Sequence, residues 1–398
     1  MSSRIKFIII LIVIIALAGW GEYLIPRGLD ISNIQIVEVA GLDYDKNASL
    51  SLVFVPHTGN SKEGKDSKKD INEKYVIVTG DTFAETVKGI QYYEDHIFVA
   101  SHLKNILLGE KLAQENLVQA IDFIGKDDNF RLNAKVYITK EMSASEVFEE
   151  GIDNNYILAD RIDKLSLNKK GHRDVRTVEV VDVMQILLSD SKSGVIPCIQ
   201  IIKNGEPQLA NYFINTSPDE EYRVEFSGYG VISDGQLVGY LGKDESNGYD
   251  YIQNLIDEDA ISLNKDGVNV GLTLTSSNSK FKFKFNNDNL KKIVIKIDTE
   301  NSVLEISNGS NIFNDDISSV REAANEHIKN IVMSTIDYSK QIGVDFLNIG
   351  EKLKFKHPYK WKKISDNWDE IFKNVEVEVI VNTKIKSGYG ILSLTNEG

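Results

Sequence analysis

The chain has 398 residues, 42% hydrophobic and 26% charged, which is room for two or three domains with their own cores and too apolar for a disordered chain. One cysteine, Cys198, excludes an intrachain disulfide. A formal net charge of -14 excludes nucleic acid as a partner and argues against electrostatic adhesion of the chain as a whole to an anionic membrane surface.

Arg4 and Lys6 precede an apolar stretch from Phe7 to Trp20. It is shorter than the about 20 residues of a comfortable membrane span and longer than a minimal signal core. Basic residues on its N-terminal side place the bulk of the chain across the membrane. Leu17-Ala18-Gly19 is the run-up to a bacterial lipid-attachment box, but Trp20 stands where the acylated cysteine is required. Ala16-Leu17-Ala18 also fits a signal-peptidase site. Two outcomes stay open: cleavage after Ala18, or retention of residues 1–24 as an anchor helix with Trp20 and Tyr23 at the outer interface.

Residues 34–40 and 50–55 read as strands joined through GLDYDKNAS. Asp43, Asp45 and Asn47 mimic the start of a calcium loop, but Ala48 replaces its glycine and Phe54 its last acidic ligand, so a turn is expected. A polar excursion spans 57–74. A strand at 75–79 leads into a helix from Asp81, where Thr82 and Glu85 form a capping box. Strands near 103–108 and 133–139 then alternate with helices near 110–124 and 143–151, the pattern of an α/β or α+β domain. Residues 152–192 read as helix, polar loop and helix, and GVIPCIQII as a buried strand holding Cys198 as a core residue.

INTSPDEE, residues 214–221, marks the main boundary, giving expected units of 25–214 and 215–398. Strands at 222–232 and 236–241 follow, joined by Asp234-Gly235, then strands near 269–275, 280–286 and 291–306. A long helical region starts near Ser318. After Pro358, Trp361, Ile364, Trp368, Ile371 and Phe372 share one helical face, either core or an exposed aromatic platform for a ligand. In the last strand Val375, Val377, Val379, Val381 and Ile385 face one side and Glu376, Glu378, Asn382 and Lys384 the other, as in an antiparallel sheet with helices on one face. The expected class is α+β: the anchor helix, then two or three mixed domains, the last built on such a sheet.

No familiar catalytic motif appears. The histidines His57, His96, His102, His172, His327 and His357 form no HExxH pair. SGYGVI lacks a third glycine and a helix behind it, so it does not cradle a phosphate. GxSxG, Walker and CxxC patterns are absent, and the carboxylates of DDISS and DEDA read as solvated turns. No cofactor, metal or catalytic residue is expected.

The C-terminal third resembles the signature of the Ger(x)C family, C subunits of the nutrient germinant receptors of spore-forming bacteria. The resemblance rests on Lys340-Gln341, Asp345, Gly350-Glu351, Pro358, Trp361, Trp368 and Phe372. FSGYGVISDGQLVGYLGKDESNGYDYI is similar to the family's hairpin, with Gly239-Tyr240-Leu241 before a helix. VEVAGLDYD and LLGEKLAQENLVQAIDFIGKDDNFRLNAKVYITK resemble its first strand and middle segment. The resemblance implies several α+β domains in an elongated array and a non-enzymatic role. It implies action with a multi-span A-type subunit and a permease-like B-type subunit, triggering germination. It also implies a place at the spore inner membrane, with the folded part on the outer side. Family members carry a lipidated cysteine where this chain has Trp20. Lipidation is therefore excluded, and retention of the N-terminal helix becomes the favoured outcome. Two other functions stand behind the receptor subunit: an extracytoplasmic protein that itself captures a nutrient, or a secreted protein released after Ala18. A hydrolase with a scattered site ranks last.

Overall fold

The structure, a computed structural model, describes residues 34–56, 74–92, 97–153, 158–167, 177–203, 222–256, 259–265, 268–306 and 317–386. The expected anchor over 1–24, most of the polar excursion and the boundary over 214–221 lie outside these residues. Among the described residues no helix is long and apolar enough to cross a membrane.

Nine strands form the first sheet: β1 (Ile34–Tyr44), β2 (Ala48–Pro56), β3 (Lys74–Gly80), β4 (Ile97–Val99), β5 (Asn105–Gly109), β6 (Lys135–Thr139), β7 (Ser193–Lys203), β8 (Tyr222–Ser233) and β9 (Gln236–Leu241). Their order is β3-β2-β1-β5-β6-β7-β8-β9, with β4 also on β1. The centre, β1-β5-β6-β7, is parallel and both flanks are antiparallel. Parallel pairing needs crossovers, and helices supply them on both faces. On one face lie α1 (Phe83–Gln91), α2 (Glu110–Glu115), α3 (Leu117–Lys126) and α6 (Val180–Leu188). On the other lie α4 (Ala144–Asp153) and α5 (Leu158–Leu167). The twofold alternation of a strand divides the side chains between these layers: Ile106 and Leu108 of β5 face the first, Leu107 the second. Cys198 is buried in the first layer, where desolvation pushes its thiol well above the usual range. The helix expected over 110–124 is two helices, broken at Asn116, whose φ of -136° leaves the helical region.

β8 and β9 close on Asp234-Gly235, both with positive φ (48° and 79°), the geometry of a type I′ hairpin. Because β7 pairs with β8, one sheet draws strands from both sides of position 214.

The second sheet is β10 (Asp259–Lys265), β11 (Val268–Asn286), β12 (Asn289–Ile306) and β13 (Glu376–Lys386), in that order. Three differences from the sequence reading stand out. β10 was not expected. The strands expected at 269–275 and 280–286 are one 19-residue strand, β11, with a bulge near Ser276. β13 runs parallel to β12, so the sheet is mixed rather than antiparallel. The alternation of valines shows that one face is buried, but strand direction is set by the crossover. Here α8 (Ile317–Ile342), α9 (Ile349–Lys356), α10 (Pro358–Ile364) and α11 (Trp368–Asn374) carry the chain back to the start of β12. The expected single aromatic face after Pro358 is therefore two short helices, α10 and α11, with a turn of 3-10 helix between them.

α7 (Lys243–Gln253) and α8 occupy the space between the sheets. One apolar core joins Val195, Tyr229, Val231 and Leu241 of the first sheet to Leu272, Ile293 and Val379 of the second. The two helices meet closely at Gly248, where a Cβ would stand 2.6 Å from the Ile331 carbonyl oxygen.

Candidate functional site

The residues that carry the C-terminal pattern form one cluster. Helix α8 ends at Gly343, with φ +71° and the Val344 N–H donating to Ser339 O at 3.1 Å, a glycine-terminated helix end. Two residues on, Asp345 is fully enclosed. Its Oδ1 accepts from Ile349 N (3.0 Å), and its Oδ2 from Gly350 N (2.7 Å) and Trp368 Nε1 (3.0 Å). The first two donors are the leading N–H groups of α9, which has no other side-chain cap, so Asp345 alone serves that helix start. Burial pushes its carboxyl up to about 6, and the three donors pull in the opposite direction.

The aromatic residues wall this carboxylate off from water. Trp361 and Trp368 meet edge to face at 5.2 Å, and Trp368 stacks on Phe372 at 5.8 Å. Gly350 makes the packing possible, since a Cβ there would lie 2.8 Å from both indoles. All three aromatic side chains are buried, so they are core and not an exposed platform.

The cluster is also a joint. Ser193 Oγ at the start of β7 donates to Asp345 O at 3.0 Å. Gln253 Nε2 at the end of α7 donates to Leu347 O at 2.8 Å, and Lys352 Nζ bridges Gln253 Oε1 and Leu347 O at 2.9 Å each. Lys340 reaches Val375 O, at the entry to β13, and its burial pushes its amine down. The other pattern residues stay outside. Gln341 is exposed on α8. Glu351 is half-buried, 3.8 Å from Lys354, and Pro358 is the exposed first residue of α10, where no N–H is needed. Ser193 and Gln253 had no signal in the sequence, being 152 and 94 residues from their partners.

A second buried carboxylate occupies the turn read as a calcium mimic. Asp43 Oδ1 and Oδ2 accept from Ala144 N (2.7 Å) and Ser145 N (3.0 Å) at the start of α4, and burial pushes its carboxyl up. Asp45 pairs with Lys111 instead of turning inward. Among the described residues no three His, Cys, Asp or Glu side chains converge as a metal site would require. His102 and His327 are exposed, His357 packs edge-on to Phe283 and Phe285, and the other three histidines lie outside the described residues.

These features define a class of protein: an α+β fold of two sheets that share one apolar core, with a buried aspartate–tryptophan cluster beside it. Residues 28–201 match the spore germination protein N-terminal domain, and residues 227–388 match the spore germination B3/GerAC-like C-terminal domain. The chain belongs to the Ger(x)C family of spore germination proteins. It is 22% identical to spore germination protein KC of Bacillus subtilis (strain 168), over 90% of this chain and 90% of that protein. It is 23% identical to spore germination protein B3 of the same organism, over 97% and 98%. The fold is similar to that in the crystal structure of the GerBC protein, with a TM-score of 0.55 and 18% identity over 87% of this chain and 97% of that one.

Proposed function

We propose that this protein is the C subunit of a nutrient germinant receptor, acting with A-type and B-type membrane subunits to trigger germination. The observation that carries this reading is that both domain models match in order, spanning residues 28–388. The role is non-catalytic: the one deeply buried carboxylate of the family pattern, Asp345, is occupied by three N–H donors that tie α9 to α11. The folded part lies on the outer side of the spore inner membrane. With Trp20 in place of a lipidated cysteine, the apolar segment from Phe7 to Trp20 is its tether.

Intact mass of the chain in the inner-membrane fraction of dormant spores tests the tether, and affinity capture from the same fraction tests the partnership. A full-length mass with A- and B-type subunits in the eluate is the expected result. A chain beginning at Gly19 in soluble fractions only, with neither subunit captured, overturns the proposal.

A further inference from the structure

The charge of -14 is unevenly distributed. Residues 352–363, KLKFKHPYKWKK, hold six lysines and no acidic residue. They form most of α9 and nearly all of α10, on the outer side of the Asp345 joint. Three carboxylates lean on this segment: Asp190 at 2.5 Å and Glu351 at 3.8 Å from Lys354, and Asp288 at 2.9 Å from Lys360 and 2.7 Å from Lys363. Lys352 is tied into the joint, and three carboxylates do not cancel the other five lysines. The platform is held firmly, since Lys356 Nζ donates to Phe281 O at 2.6 Å and Lys360 Nζ to Asn287 O at 2.5 Å, both on the β11–β12 hairpin.

Phe355 and Tyr359 stand within this basic surface, four residues apart and each 88% exposed. Their neighbours are covered: Trp361 is core and His357 lies against Phe283 and Phe285. Two rings left in water among lysines are the chemistry of a bilayer interface, where aromatic rings enter the headgroup–acyl boundary and ammonium groups meet lipid phosphates. We propose that this surface docks the C-terminal half on an anionic lipid bilayer, with Phe355 and Tyr359 inserted. The net charge of -14 opposes adhesion of the chain as a whole, which favours contact through a basic surface such as this one. A bilayer suits the patch better than a protein groove does. Two protruding rings without an apolar rim cover far less than the roughly 800 Å² per partner of a stable protein interface, and a bilayer needs no shaped pocket. The inference goes beyond the receptor reading and stands or falls independently of it.

The test uses the full chain. Cys198 is the only cysteine and is fully buried, so Y359C supplies one reactive thiol for an environment-sensitive fluorophore. F355C is an independent second position, and Y92C, equally exposed but on α1's end of the first sheet, is the control. Each labelled chain is mixed with phosphatidylcholine vesicles with or without phosphatidylglycerol. A several-fold, blue-shifted rise at positions 355 and 359 on phosphatidylglycerol vesicles alone is expected. High salt should abolish it by screening, and the label at 92 should stay silent. Water-like emission at 355 and 359 on both vesicle types, while the chain co-floats, would mean that the N-terminal segment alone holds it and would overturn the proposal. So would a response that appears only when membrane proteins are added, which gives the patch to a protein partner.

Discussion

Helices α4 and α9 both begin against a buried aspartate, and the two starts are built differently. α4 has a local capping box: Glu146 N donates to Ser143 Oγ at 3.1 Å, and Ser143 N to Glu146 Oε2 at 2.7 Å. Asp43 adds two acceptors from 101 residues upstream, pinning the helix to the end of β1. α9 has no such box. Asn348 before it sits at φ +55° and caps nothing, so Asp345 serves two backbone donors and an indole by itself. Asp43 reinforces a helix that has its own start, whereas the Asp345 carboxylate is the sole side-chain cap of α9 and also holds the Trp368 indole.

That contrast can be broken by experiment. The largest effect is expected for D345A, which strands three buried donors. It should cost about 3–5 kcal/mol, read as an early loss of the C-terminal transition in urea. Next comes pH. Asp345 is raised in the folded state, so its contribution is complete below its ordinary value of 3.8 and is lost as pH climbs through about 6. Relative to D345N, which does not titrate there, the wild type should therefore lose roughly 3 kcal/mol of stability between pH 4 and neutrality, about two pKa units. A wild type that instead gains on D345N as pH rises would mean that the three donors outweigh burial. G350A should cost about 1–3 kcal/mol, because a methyl group there runs into both indoles, and near-ultraviolet circular dichroism should show the tryptophans repacked. D43A should cost about 1–2 kcal/mol, since the Ser143–Glu146 box survives. A loss as large as that of D345A would erase the distinction between the two aspartates. The smallest effect is expected for F355S with Y359S, whose thermal midpoint should move by no more than about 0.5 kcal/mol equivalent, as both rings are in water.

The same contrast marks how far the sequence was legible. Half of the expected Thr82–Glu85 box forms: Glu85 N donates to Thr82 Oγ1 at 3.3 Å, while the glutamate accepts from Asp81 N at 2.9 Å and not from Thr82 N, and the cap was readable because its partners are only three residues apart. The Asp234-Gly235 turn was readable for the same reason. Asp43 was read as part of a turn and not as a cap, because its donors are more than a hundred residues away. SSNS at 276–279 looked like a break between strands, yet β11 runs through it. Pairing with β12, and the Ser279 N–H donating to Asn254 Oδ1 at 2.5 Å, override the local turn preference. Net charge was read for the whole chain, although six lysines were already adjacent in KLKFKHPYKWKK.

By itself, the sequence determined the family, the alternation of strands and helices, the core position of Cys198 and the residues of the C-terminal pattern. All of these rest on local period, local spacing or an ordered set of residues. Tertiary structure alone decided that β13 lies parallel to β12, that Ser193 of β7 meets the Asp345 backbone and Gln253 of α7 meets Leu347, and that Phe355 and Tyr359 face water while Trp361, two residues after Tyr359, does not. Strand direction, long-range hydrogen bonds and which side of a short helix is covered depend on where the rest of the chain returns, and no local period encodes that return.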